Sequence, residues 1–283
     1  MNSKSSVDID ELVAEISNLI SLPEVYLEIR RLMDDPHSVL DDFSAVVNTD
    51  PGLLSVVLKI VNSAFFGFSG QIDNVSRALN MIGIGQLHDL VLSLSAVDSM
   101  DLPNEIEDLH VFWQRSIYCG VVSQLLAKNL KLHEAESMFV IGLLHEIGRL
   151  LLFLVYPQQS KQIIELTRTG NRPLSEMERN AYGADYGKVG RALMAEWKLP
   201  LKFQYITEHH TEPGKATEYC VETAIVHIAH QAAVNKYPGA DSFHLLLTEG
   251  LLAILNISEE EMSKVCVQAN DTSSEMEKLV LGK

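Results

Sequence analysis

The chain has 283 residues, 47% of them hydrophobic and 21% charged, proportions close to the globular average that exclude disorder as the default. Twenty-two Lys and Arg stand against 38 Asp and Glu, a formal charge of -16. That charge repels phosphate backbones and anionic lipid surfaces, so neither nucleic acid nor a membrane is an expected partner. Three widely separated cysteines, Cys119, Cys220 and Cys266, suit free thiols rather than a disulfide framework, and point to a reducing, cytoplasmic setting. The longest uninterrupted apolar run, Leu150 to Tyr156, is far short of the roughly 20 residues of a membrane span. The opening residues lack the charged n-region and apolar core of a signal peptide.

Helical periodicity dominates and no sustained strand-type alternation occurs, so the expected class is all-α. Residues 8–20 form an amphipathic segment through Ile9, Leu12, Val13, Ile16 and Leu19. A second helix follows Pro23, with Val25, Leu27, Ile29 and Leu32 partly inside. Asp50-Pro51-Gly52-Leu53 is a helix start: Asp50 can accept from orphan amides, and Pro51 at the first helical position loses no needed donor. That helix should end near Asn62-Ser63, before a Gly- and aromatic-rich loop over 64–71. A turn at Gly83-Ile84-Gly85 leads into the next helix.

The polar stretch 98–108, with its one proline, is the best internal boundary. Two long helices are expected over about 107–130 and 134–155. Others should begin near Pro173, Asp185 and Pro200. Ser175 to Glu178 and Ser258 to Glu261 each fit a capping box. The tail beyond 214 reads as two further amphipathic helices and a charged end.

The run IGLLHEIGRLLLF over 141–153 carries His145 and Glu146 side by side in an oily segment. On a continuous helix they lie about 100° apart and reach one point beside the axis. A neutral imidazole with a carboxylate suits manganese, iron, cobalt or zinc, although three or more protein groups are usually needed to hold such an ion. The alternative is a satisfied core histidine beside a solvated glutamate. Gly142 and Gly148 flank the pair and suggest close approach by a neighbouring helix or ligand. Glu208-His209-His210, where a helix opens toward Pro213-Gly214, offers two more imidazoles, and His227 and His230 share a helical face. Each also has a structural explanation, at a helix C-terminus or at the edge of an apolar stripe. Asp185 and Glu178 have structural explanations as caps. No nucleophile elbow, P-loop or dinucleotide fingerprint is present, so metal-assisted hydrolysis is the one catalytic class with support.

Taken in order, these motifs resemble the HDOD family, bacterial signalling proteins distantly related to HD-type phosphohydrolases. The resemblance is carried by Asp50-Pro51-Gly52-Leu53, Leu58, Asn62-Ser63-Ala64, Gly67, Ile72, Ala78-Leu79, Ile82-Gly83 and LHDLVLSLS. It continues in Phe112-Trp113, GLLHEIGRL, Asp185-Tyr186-Gly187-Lys188-Val189-Gly190, Trp197-Lys198-Leu199-Pro200 and Glu208-His209-His210. It implies an all-α, two-lobed helical bundle, with an N-terminal lobe over 20–104 packed on an HD-like lobe over 105–215. Residues 1–19 would be a helical extension, and 216–283 helices that complete or cap the HD-like lobe.

Carried over by position, His145 is kept and Glu146 replaces the paired aspartate. Gln114-Arg115-Ser116 stands where the first histidine is expected, and Tyr186 where relatives often place one after Asp185. His209 and His210 match later histidines, and the last aspartate falls near His230. Arg115 would repel a divalent ion and could pair with Glu146 instead, or be an ordinary solvated residue. The resemblance thus implies a non-catalytic signalling module that binds a protein partner, such as a protein of a cyclic-nucleotide pathway, or a small regulatory ligand. An anionic ligand could be held through Arg115 or Arg149. The rival is a metal-dependent phosphohydrolase with His145, Glu146, His209, His210 and His230 as ligands to manganese, iron, cobalt or zinc. A third reading is an assembly protein anchored by Phe65, Phe66 and Phe68, which could equally plug the core; the tail helices could make a homodimer.

Overall fold

A computed structural model describes residues 9, 12–13, 22–63, 65–68, 71–99, 109–170, 172–238, 252 and 254–281. The expected extension over 1–19, the polar boundary over 98–108 and the second of the two helices expected beyond 214, which runs over 243–257, lie largely or wholly outside them. Among the described residues every regular element is helical. The chain divides into two compact units: residues 20–101 with 270–283, and residues 1–19 with 102–269.

The first unit begins with α1 (Glu24–Asp34), α2 (Leu40–Asn48) and α3 (Pro51–Val61), packed against the long α4 (Val75–Ser99). In α1 the buried stripe is Tyr26, Ile29 and Leu32, while Leu27 is 53% exposed. The expected Val25 and Leu27 fall on its flanks, because a repeat of three to four residues selects Tyr26. Asp50 caps α3 as expected, its Oδ1 accepting from Gly52 N at 2.9 Å and Leu53 N at 3.0 Å. Asn62 ends α3 and closes the loop that follows. Its Nδ2 donates to Ile72 O and its Oδ1 accepts from Ile72 N, both at 2.7 Å. Within that loop Phe65 is buried rather than exposed, while Phe66 and Phe68 are half-buried and stack on each other. The turn expected at 83–85 is a kink: Gly83 alone leaves helical geometry, at φ 83° and ψ 163°.

The second unit is built on α5 (Leu109–Asn129), buried along most of its length, and α6 (Ser137–Leu144), buried throughout. Around them lie α7 (Ile147–Val155), α8 (Pro157–Gly170), α9 (Leu174–Tyr182), α10 (Tyr186–Glu196), α11 (Leu201–His209) and α12 (Cys220–Lys236). The stretch Ser137–Val155 is long and apolar enough on average to cross a membrane, but 83% of its apolar window is buried inside the protein, as in a core helix.

The close approaches suggested by Gly142 and Gly148 are present. A Cβ on Gly142 would stand 2.8 Å from Gly120 Cα, so α6 and α5 meet backbone to backbone. One on Gly148 would fall on the Tyr186 carbonyl oxygen and 2.5 Å from Gly190 N, bringing α7 onto α10.

The caps divide. Ser175 lies inside α9, whose N-cap is Pro173, so no capping box forms at 175–178. Glu178 instead accepts the first amide of α10, Tyr186 N, at 2.8 Å, and Asp185 accepts Lys188 N at 3.1 Å. The Ser258 box does form: Glu261 N donates to Ser258 Oγ at 3.2 Å and Ser258 N to Glu261 Oε2 at 2.8 Å. It opens α13 (Glu259–Val280), a helix made from what the sequence suggests is a charged end.

Candidate functional site

The helix expected over 134–155 breaks at the His145-Glu146 pair itself. α6 ends at Leu144, Glu146 adopts φ -99° and ψ 10°, and α7 starts at Ile147. The two side chains therefore leave a junction rather than one helical face. His145 Nδ1 lies 2.6 Å from the Gly142 carbonyl oxygen and so carries the proton. Its Nε2 is left as an acceptor, and His230 Nδ1 on α12 donates to it at 2.9 Å.

The C-terminal end of α11 supplies the third imidazole. His210 Nδ1 donates to Thr207 O at 2.7 Å, which turns its Nε2 inward, where that atom has no hydrogen-bond partner. The His210 ring centroid is 5.0 Å from that of His145 and 5.9 Å from that of His230. Donor atoms of His145, Glu146 and His230 lie within 4.8 Å of one another. Glu146 Oε1 accepts from Arg149 Nη1 at 2.9 Å, and its Oε2 is unpartnered. His145 and His210 are 0% exposed and Glu146 is 1% exposed.

Burial sets the protonation states. Removal from water pushes all three imidazoles down, His210 well below the ordinary value and His230 to about 3. Each stays neutral near pH 7 and keeps a lone pair. Burial alone would raise Glu146, but neighbouring positive charge, led by Arg149 and including Arg115, outweighs it and holds the carboxyl below the usual range. Burial, then the negative Glu146, pushes the Tyr186 phenol up.

The other expected site residues have different surroundings. His209 turns away from the cluster: adjacent residues at a helix end diverge, and its ring stacks on Tyr205 at 4.1 Å while Nδ1 donates to Tyr205 O. Arg115 is buried but does not form the expected ion pair; its Nε donates to Tyr237 O at 2.7 Å, and the guanidinium on Glu146 belongs to Arg149. The spacing of Arg149, three residues after Glu146, was the available signal. Tyr186 borders the cluster, its ring 5.4 Å from that of His210. Asp185 is a cap that also meets Arg179 and Thr211. His227 donates from Nδ1 to the His210 carbonyl at 2.6 Å, so it steadies the backbone that presents His210.

Three neutral imidazoles and one carboxylate suit a borderline divalent metal. The imidazole protons of His145 and His210, donated to backbone carbonyls, match the way metal-binding histidines are oriented. His145, Glu146 and His230 thus fit such an ion in donor type and spacing, and the unpartnered His210 Nε2 lies beside them without joining that group of mutually close donors.

A family model described as the HDOD domain matches residues 19–213. An uncharacterized protein of Treponema pallidum (strain Nichols) is 26% identical over 265 residues, 93% of this chain and 51% of that protein. The chain thus spans about half the length of this curated relative. A crystal structure of a candidate phosphohydrolase from Shewanella amazonensis SB2B superposes with a TM-score of 0.77 at 22% identity, covering 98% of this chain and 100% of that one. A candidate signal transduction protein from Marinobacter aquaeolei VT8 gives 0.70 at 19% identity, covering 98% of this chain and 67% of that one. At such identities the likeness is one of fold, and it is all-helical. With the family model matching most of its length, the chain belongs to the HDOD domain family.

Proposed function

We propose that the chain is a non-catalytic HDOD signal-transduction module that responds to a protein partner or a small regulatory ligand. The observation that carries this reading is the Glu146–Arg149 ion pair, sealed against the three histidines. A hydrolytic metal centre keeps one coordination position open to water and substrate. Here the His145, Glu146 and His210 side chains are withdrawn from solvent, and a guanidinium already supplies positive charge to the carboxylate. The partner expected is a signalling protein, including those of cyclic-nucleotide pathways. The half-buried Phe66 and Phe68 are candidate contacts; Phe65 belongs to the core.

One observation favours a second reading, a metal-dependent phosphohydrolase: the unpartnered His210 Nε2 and Glu146 Oε2. In that case His145, His210, His230 and Glu146 would hold the ion, which would supply Lewis acidity and a water of lowered pKa. His227 would position His210 through its backbone, and Arg149 would have to leave Glu146.

Turnover of bis(p-nitrophenyl) phosphate by purified protein, supplied with Mn2+ or Zn2+, separates the two. The module reading expects none. Turnover that disappears in His145→Ala would overturn it.

A further inference from the structure

We propose that the turn joining α1 to α2 is a docking surface for a basic, amphipathic helix of a partner protein. This rests on the signalling-module reading and names the chemistry of the partner, at a surface to which the histidine cluster contributes nothing.

The helices on either side of this turn bury other faces. α1 packs through Tyr26, Ile29 and Leu32, and α2 through Phe43, Ser44 and Val47. Met33, Val39 and Leu40 are left 44%, 58% and 36% exposed. Single exposed apolar side chains are ordinary, but several at one turn leave apolar area that a partner can cover. The turn is also pre-formed. Asp35 Oδ1 accepts from His37 N at 2.9 Å, Ser38 N donates to Asp35 O at 3.1 Å, and Asp42 Oδ2 accepts from Val39 N at 2.8 Å. A partner therefore meets backbone that is already ordered, which lowers the entropic cost of docking.

Charge selects the occupant. Asp34, Asp35, Asp41 and Asp42 adjoin these apolar residues in the chain, and the sequence between Arg31 and Lys59 contains no Lys or Arg. Arg31 is committed to Glu28, whose carboxylate accepts from its Nε at 2.9 Å and from its Nη2 at 2.7 Å. Asp35 and Asp42 hold the turn. Asp34 and Asp41 are exposed and make no hydrogen bond or ion pair among the described residues, so their charges are open to a partner.

An anionic lipid surface or a nucleic acid is repelled here, and a second copy of a chain with formal charge -16 would bring like charges together. A helix with Lys or Arg interleaved among large apolar side chains meets both requirements of the surface. Its apolar face covers Met33, Val39 and Leu40, and its cations meet Asp34 and Asp41. Ion pairs at such an exposed rim steer and align the partner more than they hold it, so binding should weaken as salt rises.

The test titrates the full-length chain into a fluorescein-labelled synthetic leucine–lysine helix and follows anisotropy at low and high salt, with a leucine–glutamate helix for comparison. Wild type should bind the lysine helix, less tightly in high salt, and should not bind the glutamate helix. Val39→Ser with Leu40→Ser should weaken binding at least about fivefold, and Asp34→Asn with Asp41→Asn at least about threefold. Glu259→Gln with Asp271→Asn removes the same charge from exposed positions on α13 and should leave the affinity within about twofold of wild type. Thermal melts confirm the fold of each variant, and hydrogen exchange over residues 33–42 should slow when the lysine helix binds. No binding by wild type, an equal loss in the α13 pair, or protection confined to other residues overturns the proposal. So does a dimer of the chain that the Val39 and Leu40 substitutions disperse, which would assign the surface to a second copy. Phosphodiester turnover overturns the module reading and leaves these affinities unchanged, so the two failures are distinguishable.

Discussion

In the unit built from residues 20–101, Asn62 commits both ends of its amide to Ile72, and Asp50 takes two amides of α3. In the unit built from 102–269, His210 and Glu146 each keep one buried atom without a partner. Both sets belong to motifs by which the chain resembles its family, yet they do different physical work. A motif residue whose hydrogen-bonding capacity is used up locally is explained by the fold. One that is oriented by a carbonyl, neutralised by burial and left with an open lone pair keeps a donor that the fold itself does not use.

The comparison can be broken first at the backbone contacts that bring the histidines together. Gly148→Ala places a methyl against Tyr186 and Gly190 backbone that cannot move aside. The expected loss is at least about 3 kcal/mol, measurable by urea denaturation; a loss under 1 kcal/mol would mean that α7 and α10 can part without harm.

The acid side of the stability profile probes the cluster directly. The three imidazoles are held neutral when folded, with His230 at about 3, but titrate near 6.5 when unfolded. Below pH 6.5 the unfolded state binds more protons than the folded one. Their contribution is therefore complete above pH 6.5 and is lost as pH falls below it, for His230 down to about pH 3 and by up to about 1.4 kcal/mol per pH unit. Glu178 runs the other way. Burial raises it from 4.5 to about 8, so its contribution is complete below pH 4.5 and is lost as pH rises through 8. Glu178→Gln keeps an acceptor for Tyr186 N and should flatten the decline between pH 6.5 and 8. Superimposable wild-type and variant profiles would remove the buried, protonated Glu178 from the account.

Asn62→Ala should cost about 2–3 kcal/mol, because Ile72 N–H and C=O both lose their partner. Asp50→Ala should cost about 1 kcal/mol, the ordinary value of a helix cap. A larger loss there, measured by urea denaturation, would mean that Asp50 does more than cap α3.

Much of the fold was legible because its signals are local. Asp50-Pro51 and the Ser258 box act within a few residues of themselves, and each forms where the sequence places it. Where the reading failed, a distant group had intervened. Ser175 and Glu178 have the spacing of a capping box, but Glu178 is claimed by Tyr186 eight residues on. The 134–155 helix reads as continuous from its apolar content, yet it breaks at the pair whose hydrogen bonds run to Gly142, His230 and Arg149. The Phe65–Phe68 loop shows the same limit: composition identifies aromatics but not which of them turns inward.

By itself the sequence determined an all-α chain of HDOD type, the capped ends of its helices and the identity of the imidazoles available to a site. Periodicity, caps and motif order are properties of residues near one another in the chain. Only the tertiary structure decided that His210 and His230 meet His145 while His209 turns to Tyr205, and that Arg149 rather than Arg115 neutralises Glu146. Those outcomes depend on which helices approach closely enough, through Gly142 and Gly148, to bury the cluster. Burial then sets its charges, and burial is not a local property of sequence.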